Sequence, residues 1–204
     1  MADRRRACRR DFPIAVVAAL AGLVAGCGDT EGVRTYTAPT AARIDAPPPE
    51  ERAGDYRILG GVFPADEPAW FFKLAGKADE IAKHEAGFDQ ILRSVRFPKG
   101  IAEPPEFDTP AGWTRGGSRD TGFIKITETI RPPGSELEVT VTASGGGLIT
   151  NLDRWAASQL GGPKVRPAEL PNITRPIETG SVKGLRVDLR GPNDPNARKM
   201  PGRK

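Results

Sequence analysis

An α+β sandwich is the fold class that this chain predicts, with an antiparallel sheet of about five strands and two main helices. Three observations carry that expectation. β-rich runs come in pairs joined by turns too short for a helical crossover, each pair is followed by a helical segment, and one more alternating run closes the order. Adjacent strands linked in this way favour antiparallel pairing with helices covering one face.

The first pair is "YRILGGVF" (56–63) and "AWFFKLAG" (69–76), separated by a turn from Pro64 to Pro68. Successive side chains of a strand point to opposite faces, so Trp70 and Phe72 should oppose Phe71. The next segment, about Lys77 to Val95, carries the clearest helical signal. Ile81, His84, Phe88, Ile91, Leu92 and Val95 recur at three- and four-residue steps, while Asp79, Glu80, Lys83, Glu85 and Arg93 fall mainly off that stripe.

A Pro-rich connection, "PKGIAEPPEFDTPAG", leads to Trp113. The second pair is "FIKITETI", with Ile124, Ile126 and Ile130 expected in phase, and "ELEVTVTA", with Leu137, Val139, Val141 and Ala143 in phase. The intervening "RPPGS" is of hairpin size. After Gly145, Gly146 and Gly147 a short helix is expected, with Leu148, Leu152, Trp155 and Leu160 on its inner side and Asn151 and Arg154 facing outward. A loose Pro-rich stretch precedes the last strand, "VKGLRVDLR", in which Leu185, Val187 and Leu189 alternate. The two halves do not align residue by residue, so no internal repeat is expected.

The ends of the chain carry a different kind of information. Arg4, Arg5, Arg6, Arg9 and Arg10 form a basic leader, and Phe12 to Gly26 is an apolar run closing on small residues, the pattern of an export signal. That run is short for a bilayer span, which takes roughly 20 apolar residues. Leu23-Val24-Ala25-Gly26-Cys27 resembles the lipobox of bacterial lipoproteins. The resemblance implies cleavage between Gly26 and Cys27 and lipidation of Cys27 by diacylglycerol and usually a further acyl chain such as palmitate. Two or three chains make a firm anchor where one binds marginally.

The expected organisation is thus a signal peptide over residues 1–26, a lipidated cysteine and disordered tether over 27–55, one α+β domain over 56–190, and a disordered basic tail over 191–204. The tether is rich in Pro, Ala and charge. Residues 1–26 hold five arginines and two aspartates, so their removal leaves 25 basic and 24 acidic residues from the original 30 and 26. The basic balance comes from the two ends, and a nucleic-acid partner, which needs a basic face on the folded body, is not expected. Cys8 leaves with the signal and Cys27 is acylated, so neither a free thiol nor a disulfide is expected in the exported domain.

Two segments carry a family resemblance. "WFFKLAG" (Trp70 to Gly76), leading through a helix into "SVRF" (Ser94 to Phe97), is similar to a pattern in uncharacterised secreted proteins and lipoproteins of planctomycete-type bacteria. "PAGWTRG" together with Gly146, Gly147, Leu148, Asn151, Arg154 and Trp155, a Gly-Gly-Leu-x-x-Asn-x-x-Arg-Trp run, resembles the second half of the same family. The β–β–α arrangement is also similar to the PsbP/Mog1-like α/β/α sandwich, whose members mostly bind or assist other proteins. These resemblances imply a fold and an address, and no chemistry.

Sequence chemistry favours no catalytic set. His84 is the only histidine and lies in phase with Ile81 and Phe88, which reads as a packed side chain rather than a general base. A zinc site wants three or four Cys and His ligands, so neither metal nor cofactor is expected. Glu136, Glu138 and, across the hairpin, Glu128 offer paired carboxylates, with solvated sheet-face charges as the plainer reading.

The glycines lack the lysine of a Walker loop and the third glycine of a dinucleotide fingerprint. They leave a candidate anion or ligand site at Gly145, Gly146, Gly147, Asn151 and Arg154, because amides at a helix start suit an anion. The expectation is a non-enzymatic cell-envelope lipoprotein, held to inner or outer membrane, that binds or assists an envelope protein or polymer. The alternatives are a carboxylate-dependent hydrolase of envelope polymer, needing two converging acids, and a small-ligand carrier, needing a closed apolar pocket.

Overall fold

Strands β1 (Tyr56–Phe63) and β2 (Trp70–Lys77) pair antiparallel at the middle of the sheet, with Tyr56 opposite Lys77 and Phe63 opposite Trp70. The computed structural model describes residues 53–66, 70–180 and 182–197, all within one compact unit. The expected signal, Cys27, the tether up to Arg52 and the tail from Arg198 lie outside the described residues. Nearly every side chain of β1 and β2 is buried, because this part of the sheet is covered on both faces.

Helix α1 (Ala78–Arg93) follows β2 directly, its first amide bonded to the Asp55 carbonyl at 2.8 Å. Asp79 and Glu80 sit in its first turn and Arg93 in its last, each matched to the helix dipole. Then come β3 (Thr114–Arg115), β4 (Arg119–Asp120), β5 (Lys125–Arg131) and β6 (Val139–Ala143). The seven-residue α2 (Gly147–Asp153) runs straight into a π-helical turn, Arg154–Gln159. A short helix α3 (Leu170–Ile173) precedes β7 (Thr174–Glu178) and β8 (Lys183–Gly191). The sheet order is β3-β5-β6-β2-β1-β8-β7, antiparallel throughout, with β4 also on β5.

The α+β antiparallel architecture is as expected, and two details are not. Among the described residues eight strands stand where five are expected, and the helices lie on both faces instead of one. On the first face, Leu59, Phe72, Leu74, Val139 and Val141 pack beneath Ile81, Phe88, Ile91 and Leu92 of α1. On the second, Ile58, Val62, Phe71, Val187 and Leu189 pack against Leu152, Trp155, Ala156 and Leu160. Adjacent glycines of β1 admit both helical layers. A side chain at Gly61 would strike Leu92, and a Cβ at Gly60 would lie 2.5 Å from the Trp155 ring. Phe71 meets the same ring edge-on, centroids 5.8 Å apart.

Between α1 and the sheet lies an ion network. Arg57 donates to Asp188 at 2.8 and 2.5 Å and to Glu85 at 2.7 Å, while Arg186 donates to Asp89 at 2.7 Å and to Glu85. Arg57 is 6 % exposed, so its charge depends on these partners. Their hydrogen bonds, Asp188 first, raise the Arg57 pKa; burial pushes the Glu85 and Asp188 carboxyls up, but the arginines outweigh it and both end below their usual range.

The chain beyond β8 also differs from expectation. The composition from Gly191 suggests an unfolded tail, yet the Asn193 amide bonds to the Leu160 carbonyl at 3.0 Å and Asn196 Nδ2 to the Ala75 carbonyl at 2.8 Å. These bonds tie the segment to the domain as far as Asn196.

Candidate functional site

No side chain of β5 or β6 joins the second core, because α2 and the π turn cover only β1, β8 and the near side of β2. The rest of that face is an open groove of ≈ 1150 Å³. Its floor is formed by Lys73 of β2, Thr140 and Thr142 of β6 and Ile126 of β5. The π turn supplies one wall with Arg154, Trp155 and Gln159, and Arg119, Thr121 and Ile124 supply the other. Phe123, at the tip of the β4–β5 turn between Thr121 and Ile124, is 98 % exposed.

A β-bulge explains why Ile126 is here. The register slips between Ile126, opposite Thr142, and Glu128, opposite Val141. One extra residue reverses which face each side chain meets. Ile126 therefore lines the groove while Ile130 enters the core under α1, and the expected single phase of Ile124, Ile126 and Ile130 is corrected accordingly.

Lys73 is the residue that sequence reasoning passed over. It lies inside the apolar run Trp70 to Ala75, opposite Thr140 in register, with its Nζ 3.2 Å from Gln159 Oε1. Burial lowers its pKa to about 8, and the nearby Arg154 charge adds to the shift. Among the described residues no carboxylate lies within ion-pair distance of Lys73 or Arg154. A lysine amid an otherwise apolar strand buried on both faces was the available signal.

The glycine corner connects to this site indirectly. Gly146 and Gly147 have φ of +87° and +74°, the left-handed backbone that glycine adopts freely. Asn151, expected to face outward, is instead 2 % exposed. Its amide donates to the Gly145 and Gly147 carbonyls at 2.9 and 2.8 Å, and its Oδ1 accepts from Ser144 Oγ at 3.2 Å and Arg154 Nη2 at 2.7 Å. The corner is locked by a buried polar side chain, and that same side chain fixes Arg154 at the groove wall. None of the three glycines lines the groove.

The remaining candidates separate. Glu138 faces the groove but is held by Arg119 at 2.7 Å and Arg131 at 3.2 Å. Glu128 lies on the α1 face, paired to Arg115 at 2.6 Å, so it does not join Glu136 and Glu138, which both line the groove. His84 packs edge-on against Trp113 with centroids 6.0 Å apart. Among the described residues, no group of three or more His, Cys, Asp or Glu is placed to hold a metal, and no helix is long and apolar enough to cross a membrane.

The partly buried ammonium of Lys73 has a stability consequence. Its folded pKa lies below the ordinary 10.5, so the unfolded chain binds the extra proton between pH 8 and 10.5 and stability rises with pH across that window. Lys73→Met should stabilise the domain by about 1–3 kcal/mol at pH 7. The gain should shrink as pH rises from about 8 towards 10.5, as measured by urea denaturation across that range.

No protein family, curated protein or solved structure matches this chain.

Proposed function

We propose that this chain is a lipid-anchored, non-enzymatic binding module of the cell envelope, and that the groove on the open half of its sheet is where it takes its ligand. The groove carries the reading: a sheet face left uncovered by the second helical layer, floored by Lys73, Thr140, Thr142 and Ile126. Its volume exceeds the roughly 300–1,000 Å³ of ordinary small-molecule pockets. An open trough of that size suits a segment of an envelope protein or polymer better than an enclosed small molecule, which argues against the carrier alternative. The hydrolase alternative keeps Glu136 and Glu138 at the groove, but Glu138 is tied to Arg119 and Arg131 and Glu128 lies on the opposite face, which weakens that reading.

The lipobox residues Leu23 to Cys27 supply the address. Helices on both faces support the PsbP/Mog1-like layering, whose members mostly bind or assist other proteins. The exposed Phe123 on the rim gives a partner an apolar foothold beside the polar floor.

The test is crosslinking in the native envelope, comparing the wild-type chain with Thr142→Trp, which fills the groove. A specific adduct that disappears in the variant, with folding unchanged by circular dichroism, is the expected result. An identical adduct pattern from both proteins would refute the groove. Cys27→Ser should separately release the chain from membranes, and undiminished membrane association would refute the anchor.

A further inference from the structure

We propose that the groove floor is a preorganised site for one oxyanion, phosphate or carboxylate, held between Lys73 and Arg154. The proposal rests on the groove being the ligand site and names the chemistry of what enters it.

The contrast with the rest of the molecule is the starting point. Arg57 and Arg186, the part-buried arginines under α1, are each paired with carboxylates. Arg154 is built differently. Its Nη2 is spent on the neutral Asn151 Oδ1, and its buried Nε has no hydrogen-bond partner. A buried donor left unmade costs roughly 1–3 kcal/mol. Lys73 likewise reaches only a neutral oxygen, that of Gln159. Two cations, one on the floor and one on the wall, therefore line one groove with no carboxylate within ion-pair distance of either among the described residues.

Their like charges favour an anion at this point of the groove, whose lining elsewhere also holds Glu80, Glu136, Glu138 and Asp194. An oxyanion answers both needs at once, compensating the two charges and accepting hydrogen bonds from a lysine head and a guanidinium edge. The Thr140 and Thr142 hydroxyls stand on the same floor as further donors.

The support is rigid, as an anion site requires. Arg154 is fixed by Asn151, and Asn151 by two backbone carbonyls of the glycine corner. Arg154 opens a π-helical turn, and such turns are frequent at functional sites. In that turn Arg154 and Gln159 reach the groove, Ala156 stays in the core, and Trp155 belongs to the core while lining the groove with one edge. Trp155 and Ile126 also contribute apolar surface to the groove, so the oxyanion would be one end of an amphipathic ligand.

The test is titration of the ¹⁵N-labelled full chain with inorganic phosphate and with acetate, each against chloride at matched ionic strength. The backbone signals of Thr140, Thr142 and Gln159 are followed, with the capped neutral peptide acetyl-Leu-Thr-Leu-amide as a control probe. Saturable shifts with either anion are expected, weakened at least about tenfold in Lys73→Met and in Arg154→Gln; the tighter ion tells phosphate from carboxylate. Shifts that do not saturate, or that persist unchanged in Lys73→Met, would overturn the site. Shifts with the neutral peptide alone would overturn the anion site and leave the groove standing, and silence from all three probes would sink both. Lys73→Met removes a charge from the groove without touching the Asn151 anchor, so it decides the matter even if Arg154→Gln fails to fold.

Discussion

Trp155→Ala should destabilise the domain by about 3–5 kcal/mol, the range for truncating a large buried aromatic. The indole is 3 % exposed and sits over Gly60, with Phe71 meeting it edge-on at 5.8 Å. The empty Cβ position of Gly60 is there to receive that ring, and alanine at 155 would leave space on both sides. β1 cannot relax into it, because β2 and β8 pin it in register. Trp155 also belongs to the π turn that carries Arg154 and Gln159, so loss of the ring should loosen the groove wall as well as the core. Denaturant unfolding should show the midpoint fall. A change under 1 kcal/mol would mean that the second helical layer is not held by this residue.

Removing Arg57 should have the next largest effect. Buried ion pairs broken from one side lose about 3–5 kcal/mol. Glu85 and Asp188 keep 33 % and 35 % of their side-chain exposure, which reduces the expectation to about 2–4 kcal/mol for Arg57→Ala. Both carboxyls are held below their ordinary pKa, so the stability they contribute is present at neutral pH. It is lost as pH falls through their folded values, below the usual carboxylate range. The variant should therefore approach the wild type in stability as pH falls through the lowered folded values of both acids, below the usual carboxylate range. Denaturation curves at neutral and acid pH check this, and a deficit that stayed constant across the range would contradict the network.

The sequence made some of this fold legible because regular burial writes a regular pattern. The α1 stripe from Ile81 to Leu92, the alternation of Leu185, Val187 and Leu189, and the opposed faces of Phe71 and Phe72 all follow from one apolar face meeting one core. What escaped is where that link fails. β3 and β4 are two residues each and exposed, too short to alternate. β7 is an edge strand containing Pro176 and mostly exposed side chains, and proline is tolerated at an edge because its missing donor faces no neighbour. The near-continuous apolar runs of β1 and β2 already signal two covered faces, a stronger constraint than the short connections that suggest one.

The site was half visible for a related reason. Arg154 stood out through the glycine corner, but the glycines serve geometry and Asn151 turns inward to lock them. Lys73 stood in plain view within the Trp-Phe-Phe-Lys-Leu run, where a charge disturbs an apolar strand without changing its period. Only the packing reveals that the second helical layer stops short of Lys73's neighbours on β6 and β5. A cation kept there at the expense of stability is what a binding surface requires and a structural core does not.

The most direct test of that account is the titration of the Lys73 side chain by ¹³C NMR, free and with saturating phosphate. A midpoint of about 8 in the free protein, moving upward when the anion enters, is the predicted result. A midpoint at the ordinary 10.5 that ignores the anion would contradict it.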